Sequence, residues 1–219
     1  MGCPFKQGSG LHPRLRIGAV LLAAGAGRRM GGVAKPLIRL QGVPLVRRHL
    51  VALSGAGVDE VVVVTGHARE AVEAEVRPFT VTLAHNAAPE EGEAASVRAG
   101  LAALGGAFDA VLVVPADLPL LAGADLTELV GAFKKRPGGH VVVPVFEGRR
   151  GDPVVLDEVA QARVLEGTLS LDDVLDREPA LVHRHETANT RFMSGLDTLE
   201  DVRAMAERTG WRLELPATA

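Results

Sequence analysis

Residues 17–36 read IGAVLLAAGAGRRMGGVAKP, and this stretch decides the fold. Its apolar half, Ile17 to Ala24, is short, unbroken and ended by Gly25 and Gly27, which is the signature of a buried strand in a parallel sheet. Glycines let a backbone turn sharply and approach a ligand closely. With free N–H groups and the cations Arg28, Arg29 and Lys35 beside them, the turn makes a pocket suited to phosphate; read alone, the same residues equally make a tight strand-to-helix turn with solvated basic side chains. Two familiar phosphate loops fail by position. A dinucleotide fingerprint starting at Gly25 would need glycine where Met30 stands. A P-loop starting at Gly27 would need lysine where Val33 stands. Lys35 therefore reaches phosphate from another place in the loop, which points to a different class of nucleotide enzyme.

Working outward, four further apolar runs follow, at 61–64 (VVVV), 81–83, 111–114 (VLVV) and 141–145 (VVVPV). Between them Val46, Leu50 and Leu53, then Val97, Leu101 and Leu104, recur at helical spacing, and Leu126, Leu129, Val130 and Phe133 make the fullest stripe. Strands alternating with amphipathic helices predict a doubly wound, mostly parallel sheet with helices on both faces. After Val145 the alternation weakens: FEGRRGDPVVL reads as a turn-rich excursion with a hairpin tip at 148–151. Short helices over 157–165 and 169–175, a strand near 181–184 and a last helix from about Thr198 complete the expectation, as one compact domain.

Composition narrows the chemistry. The chain has 219 residues, enough for one domain with a good-sized core. A formal charge of −3 and 3% aromatic residues argue against a broad nucleic-acid footprint and against base-stacking platforms. Cys3 is the single cysteine, so an intrachain disulfide and a CxxC metal or redox motif are excluded. Residues 1–15 read as a flexible leader with no apolar signal core, and no apolar segment approaches membrane-span length, so the cytoplasm is the expected location.

In open α/β sheets, ligands bind beyond the carboxyl ends of the strands. The run 111–114 delivers Asp117 to that edge between Pro115 and Pro119, where a carboxylate can hold Mg²⁺ against a nucleoside triphosphate or simply cap a turn. Asp197, just before the final helix, reads first as an N-cap. Asn86 ends the 81–83 run, and Ser96 and Arg98 follow at the start of a helix, where they either face a ligand or serve as a cap and a solvated arginine. His183 and His185 alternate along a strand and read as a solvent face, since no third metal ligand lies near in sequence.

The residues so far carry a resemblance. LLAAGAGRRMGGVAKPLIRLQGVPLVRRHLVAL, with GVDEVVVVTG, NAAPEEGEAASVRAGL, VLVVPADLPLL, GRRGDPVVL and LDTLEDV after it, resembles the MobA-like nucleotidyltransferases over residues 16 to about 205. The Asn86–Leu101 segment and Ala23-Ala24-Gly25 are most similar to the branch that cytidylylates molybdopterin, where guanylyl-transferring relatives usually have Ala-Gly-Gly. The resemblance implies a three-layer, Rossmann-like nucleotidyltransferase fold of the nucleotide-diphospho-sugar transferase type. It places one domain over 16–210 and a C-terminal tail over 211–219.

It also implies an enzyme that joins the α-phosphate of an NTP, CTP favoured, to a phosphorylated acceptor of the molybdopterin type with Mg²⁺, releasing pyrophosphate. Ala23, Ala24, Gly25, Ala26, Gly27, Arg28 and Ser96 would bind the nucleotide, Arg29 and Lys35 would meet its phosphates, and Asp117 would hold Mg²⁺. Asp197 would complete the metal site, because the family's usual acid or amide two residues earlier is replaced by Gly195. The usual RGHP stands as RGDP, with Asp152 in place of histidine, and the usual Gly-Asp before the second proline stands as Ala116-Asp117. Sugar phosphates, isoprenoid precursors and phospholactate are alternative acceptors. A nicotine blue oxidoreductase-like protein or a nucleotide-binding module without transfer activity is the alternative of another class. Monomer and dimer are both open.

Overall fold

The computed structural model describes residues 14–88, 92–167 and 170–216. Cys3 and all but the last two residues of the leader lie outside them, as does Leu169, where one helix was expected to start.

Each valine-rich run is a strand. β1 (Ile17–Ala23) is flanked by β4 (Glu60–Thr65) and β6 (Ala110–Pro115), both parallel to it, and β5 (Thr82–His85) lies parallel beyond β4. On the other side, β9 (Val154–Leu156) is inserted antiparallel between β6 and β7 (Val141–Phe146), and β10 (Val182–Glu186) closes the order β10-β7-β9-β6-β1-β4-β5 parallel to β7. A residue period of two explains how β1 serves both faces. Ala19, Leu21 and Ala23 pack with α1 (Leu45–Gly55), α2 (Arg69–Val76) and α4 (Gly123–Lys135). Val20, Leu22 and Ala24 pack with α3 (Glu93–Ala103), α5 (Glu158–Leu165) and α6 (Leu171–Arg177). The sheet is thus covered on both faces, the three-layer, mostly parallel architecture that the alternation predicts.

α3 comes unusually close to the sheet. A Cβ built on Gly100 would stand 2.2 Å from Val20 Cγ1 and 2.9 Å from Val64 Cγ2, so only glycine allows this approach.

Two expectations need correction, and one expected strand is present with its bounds now fixed. The hairpin turns at Glu147-Gly148, both with positive φ, and Arg149–Arg150 already form β8; residues 148–151 are not its tip. Here two residues able to adopt the left-handed region sit side by side, and that decides where the chain reverses. The short VVL segment is a sheet strand, because it buries all three side chains between β6 and β7. The strand near 181–184 runs over Val182–Glu186.

A second, small sheet lies beside the site. β2 (Arg39–Leu40) pairs with β3 (Val43–Pro44) and with β11 (Leu213–Glu214), which belongs to the stretch read as a tail. α7 (Leu199–Thr209) packs Val202 and Met205 against Met30, Val33, Ile38, Leu40 and Leu45, so the C-terminal helix backs the glycine loop. Among the described residues no helix is long and apolar enough to cross a membrane.

Candidate active site

A cavity of about 350 Å³ opens at the carboxyl edge of the sheet. The loop after β1, the residues after β6 and the first turn of α3 line it: Ala24, Gly25, Ala26, Gly27, Arg28, Arg29, Lys35, Ser96 and Asp117 all face it. Ala23 does not; it is buried in β1 and packs into the core.

The loop conformation follows from its glycines. Gly27 has φ 59°, and a Cβ there would fall 1.9 Å from the Val33 carbonyl oxygen, so no other residue fits. The turn is closed by the amides of Met30, Gly31 and Gly32, which donate to the carbonyls of Gly27 and Arg28, leaving the amides of residues 26–29 outside the turn's own bonding. Met30, 1% exposed, anchors the loop in the core, while Arg28 and Arg29 stay in solvent.

Lys35 enters from a short 3-10 turn (Lys35–Leu37) that Pro36 starts. Its ammonium donates to Asp117 Oδ2 at 2.8 Å and to Asp197 Oδ1 at 2.9 Å. Arg29 pairs with the other oxygen of Asp197 at 3.2 Å. Burial alone would lower the lysine pKa, but the charges and hydrogen bonds of Asp117 and Asp197 outweigh it and hold the pKa above the usual value. Asp117 is delivered by an extension of the β1–β6 pairing, with the Ala116 amide on the Leu22 carbonyl. The Asp117 carbonyl in turn accepts from the Leu196 amide at 3.0 Å, and this places Asp197 in the site.

Asp197 is therefore not the helix cap it first resembles. Thr198 caps α7: its hydroxyl accepts from the Asp201 amide, and Asp201 reaches back to the Thr198 amide. With the cap supplied next door, the Asp197 carboxylate is left for Lys35 and Arg29.

Two further carboxylates, missed in the sequence as site residues, frame the cleft. Glu93, at the first turn of α3, lines the cavity, and its pKa is pushed up to about 7 by burial in the cleft and by Asp152, Asp172 and Asp117. Asp152 is pushed to about 6 by burial and by Asp117 and Asp172. Both side chains keep solvent access, so water screens part of this repulsion. The position of Asp152 is set by Gly151, whose Cβ would strike the Phe192 carbonyl at 2.5 Å, and by the Asp152 amide on that same carbonyl at 3.0 Å. Asp152 carried a signal, an acid where the resembling family has histidine. Glu93 carried none, since an acid in a first helical turn is ordinary.

His183 and His185 lie elsewhere, and not on an open face. They border a groove against α4, where the His185 ring stands 3.0 Å from Glu128, and Thr187 and Asn189 bond the same carboxylate. Those hydrogen bonds hold the Glu128 carboxyl below its usual range against the opposing effect of burial. Among the described residues no group of three or more histidine, cysteine or acidic side chains is arranged to hold a metal by itself. A divalent ion fits the pair Asp117 and Asp197, because both already converge on one cation, the Lys35 ammonium. Mg²⁺ is commonly held by one or two carboxylates together with substrate phosphates and water.

A glycine loop, a lysine bridging two carboxylates and a cleft at the sheet edge define a nucleotidyltransferase. The MobA-like NTP transferase domain matches residues 19–188, and the chain belongs to that family. It is 30% identical to a probable molybdenum cofactor guanylyltransferase of Natronomonas pharaonis over 86% of this chain and 96% of that one. It is 37% identical to the bifunctional protein GlmU of Pelobacter propionicus over 58% of this chain, and spans only 28% of that relative's length. Among solved structures, a nucleotidyl transferase from Methanothermobacter thermautotroptrophicus shares the fold with a TM-score of 0.73 at 24% identity, covering 88% of this chain and 97% of that one. A Mycobacterium tuberculosis protein solved as a manganese complex superposes with a TM-score of 0.65 at 21% identity, covering 88% of this chain and 98% of that one.

Proposed function

We propose that this nucleotidyltransferase uses CTP and Mg²⁺ to cytidylylate a phosphorylated acceptor of the molybdopterin type. The observation that carries the reading is Lys35 held between Asp117 and Asp197 beside the Gly25–Arg29 loop. An oxygen of the acceptor phosphate attacks the α-phosphorus, a new P–O bond forms, and the bond to the β-phosphate breaks to release pyrophosphate. No protein nucleophile is needed, so the residues act by positioning and charge stabilisation. The loop cradles the triphosphate, Arg28 and Arg29 meet its outer oxygens, and Lys35 leaves the carboxylates for the α-phosphate. Asp117 and Asp197 hold the divalent ion, which neutralises the phosphate charge when bound.

CTP is favoured by Ala23-Ala24-Gly25 at the end of β1. GTP is the second reading, favoured by the guanylyltransferase relative that matches over nearly its whole length. The deciding experiment measures pyrophosphate release with CTP, GTP, UTP and ATP, against molybdopterin, sugar phosphates, an isoprenoid precursor and phospholactate. Release with CTP and molybdopterin supports the first reading. Release with GTP supports the second, and another acceptor redirects the assignment. Absence of release with every pair, in a protein that still binds nucleotide, points to the nucleotide-binding module or the oxidoreductase-like alternative.

A further inference from the structure

The buried pair Asn86 and Ser96 takes no part in the phosphate chemistry above, and Asn86 has so far no role in the site. Asn86 follows β5 and Ser96 lies in the first turns of α3; they are 5% and 6% exposed, and Ser96 lines the cleft. The Asn86 amide is anchored by the Thr65 carbonyl at 2.9 Å. Its side-chain oxygen accepts from the Ala88 amide at 3.0 Å. A backbone N–H can only donate, so the atom facing Ala88 must be oxygen and the one facing Ser96 must be the NH₂ group. That group donates to Ser96 Oγ at 2.9 Å. The hydroxyl is thereby made an acceptor on this side and keeps one proton to give. In a helix such a proton usually returns to the carbonyl three or four residues back. Ser96 makes no such bond among the described residues.

The place of this proton in the cleft indicates what it meets. The pair lies at the foot of α3, where Leu22, Ala24, Gly92 and Glu93 wall the cavity and no cation stands among them. Beyond β6 stand Asp152 and Asp172, whose negative charge adds to burial in raising the pKa of Glu93. On the nucleotide-binding reading, the phosphates go to the cationic loop, where Arg28, Arg29 and Lys35 stand. A wall that carries a carboxyl and no cation disfavours phosphate and admits an uncharged heterocycle, and every nucleobase presents ring-nitrogen or carbonyl acceptors.

We infer that Asn86 is a positioning residue that fixes the Ser96 hydroxyl as a hydrogen-bond donor to an acceptor atom of the nucleobase. This rests on the nucleotide-binding reading of the site. It goes beyond that reading by giving Asn86 a role through polarity: the amide sets the direction of the Ser96 hydrogen bond.

Asn86→Asp tests that role, because a carboxylate still accepts from Ala88 but also accepts from Ser96, turning the hydroxyl around. Calorimetric binding of CTP, GTP, UTP and ATP with Mg²⁺ to the full chain is compared for wild type, S96A, N86D and the double variant, each checked by thermal melting. S96A is expected to weaken binding of the preferred nucleotide by roughly tenfold, the equivalent of one hydrogen bond. N86D is expected to weaken it at least as much, and to add less than about twofold once Ser96 is alanine, since coupled sites are non-additive. Wild-type affinity in N86D, or losses that multiply in the double variant, overturns the inference. If N86D does not fold, S96A decides alone, and wild-type affinity there overturns it. A wild-type chain that binds none of the four nucleotides overturns the nucleotide-binding reading itself, and this inference with it.

Discussion

Lys35 and Asp117, 82 positions apart in sequence, are joined by a 2.8 Å hydrogen bond at the floor of the cleft. Neither side chain is more than a quarter exposed, so the pair is shielded from most screening. Because the same ammonium also serves Asp197, one cation bridges two carboxylates that would otherwise repel.

Replacing Lys35 by alanine should therefore act twice. Transfer should fall by roughly two to three orders of magnitude, the usual effect of removing one charge stabiliser at a reacting centre. The two carboxylates should also repel in the free protein and attract divalent ions more strongly. Pyrophosphate release and a Mn²⁺ titration without nucleotide check the two effects separately.

Asp117→Asn should abolish metal-dependent transfer while leaving the fold intact, since the residue follows β6 and lies outside its hydrogen-bond ladder. Rate measured against Mg²⁺ concentration tests it. An unchanged rate and metal dependence would remove Asp117 from the metal site.

Gly195→Asp should strengthen metal binding. The position is open: a Cβ there would meet nothing within 4 Å, and no positive φ strains a side chain. The new carboxylate would lie two residues from Asp197. The apparent Mg²⁺ constant in the presence of nucleotide should drop, and the melting temperature should stay near that of the wild type.

The crowded carboxylates predict a pH dependence. Glu93 titrates at about 7 and Asp152 at about 6 in the folded chain, each above its ordinary carboxyl value. A raised folded pKa means the folded state binds more protons than the unfolded one, so the protein is favoured below the ordinary carboxyl range and loses that stability as pH rises to about 7. Melting temperatures from pH 5 to 8 should fall, and E93Q should flatten the upper part of the slope. A slope unchanged by E93Q would show that Glu93 does not carry it.

Gly100→Ala should destabilise the fold by about 1–3 kcal/mol, the cost of overpacking a tight helix–sheet contact. Urea unfolding measures the loss.

Much of this was legible because buried parallel strands are continuous apolar runs. Residues 61–64 and 111–114 announce themselves, whatever pairs with them. β9 did not, because VVL is short and its antiparallel place between β6 and β7 depends on partners distant in sequence. In the site, Lys35 and Asp117 were readable from a loop and a strand end. By its residues alone Asp197 reads as a helix cap, because Asp and Thr both cap helices, and only the hydrogen bond that the Asp201 amide donates to the Thr198 hydroxyl tells which one does; the family resemblance is what points Asp197 to the site. Glu93 was invisible because its unusual environment is made by burial in the folded cleft and by Asp152 and Asp172, residues far along the chain.

The small sheet has a consequence for handling the protein. Leu213 and Glu214 pair with Leu40 and Arg39, and Arg39 lies four positions after Lys35. The carboxyl-terminal stretch thus works as a splint for the segment that carries Lys35. Trimming the chain before Trp211, or fusing a bulky tag tightly behind Glu214, should loosen β2 and with it the seating of Lys35. An unstructured spacer between Pro216 and any fusion partner is the remedy.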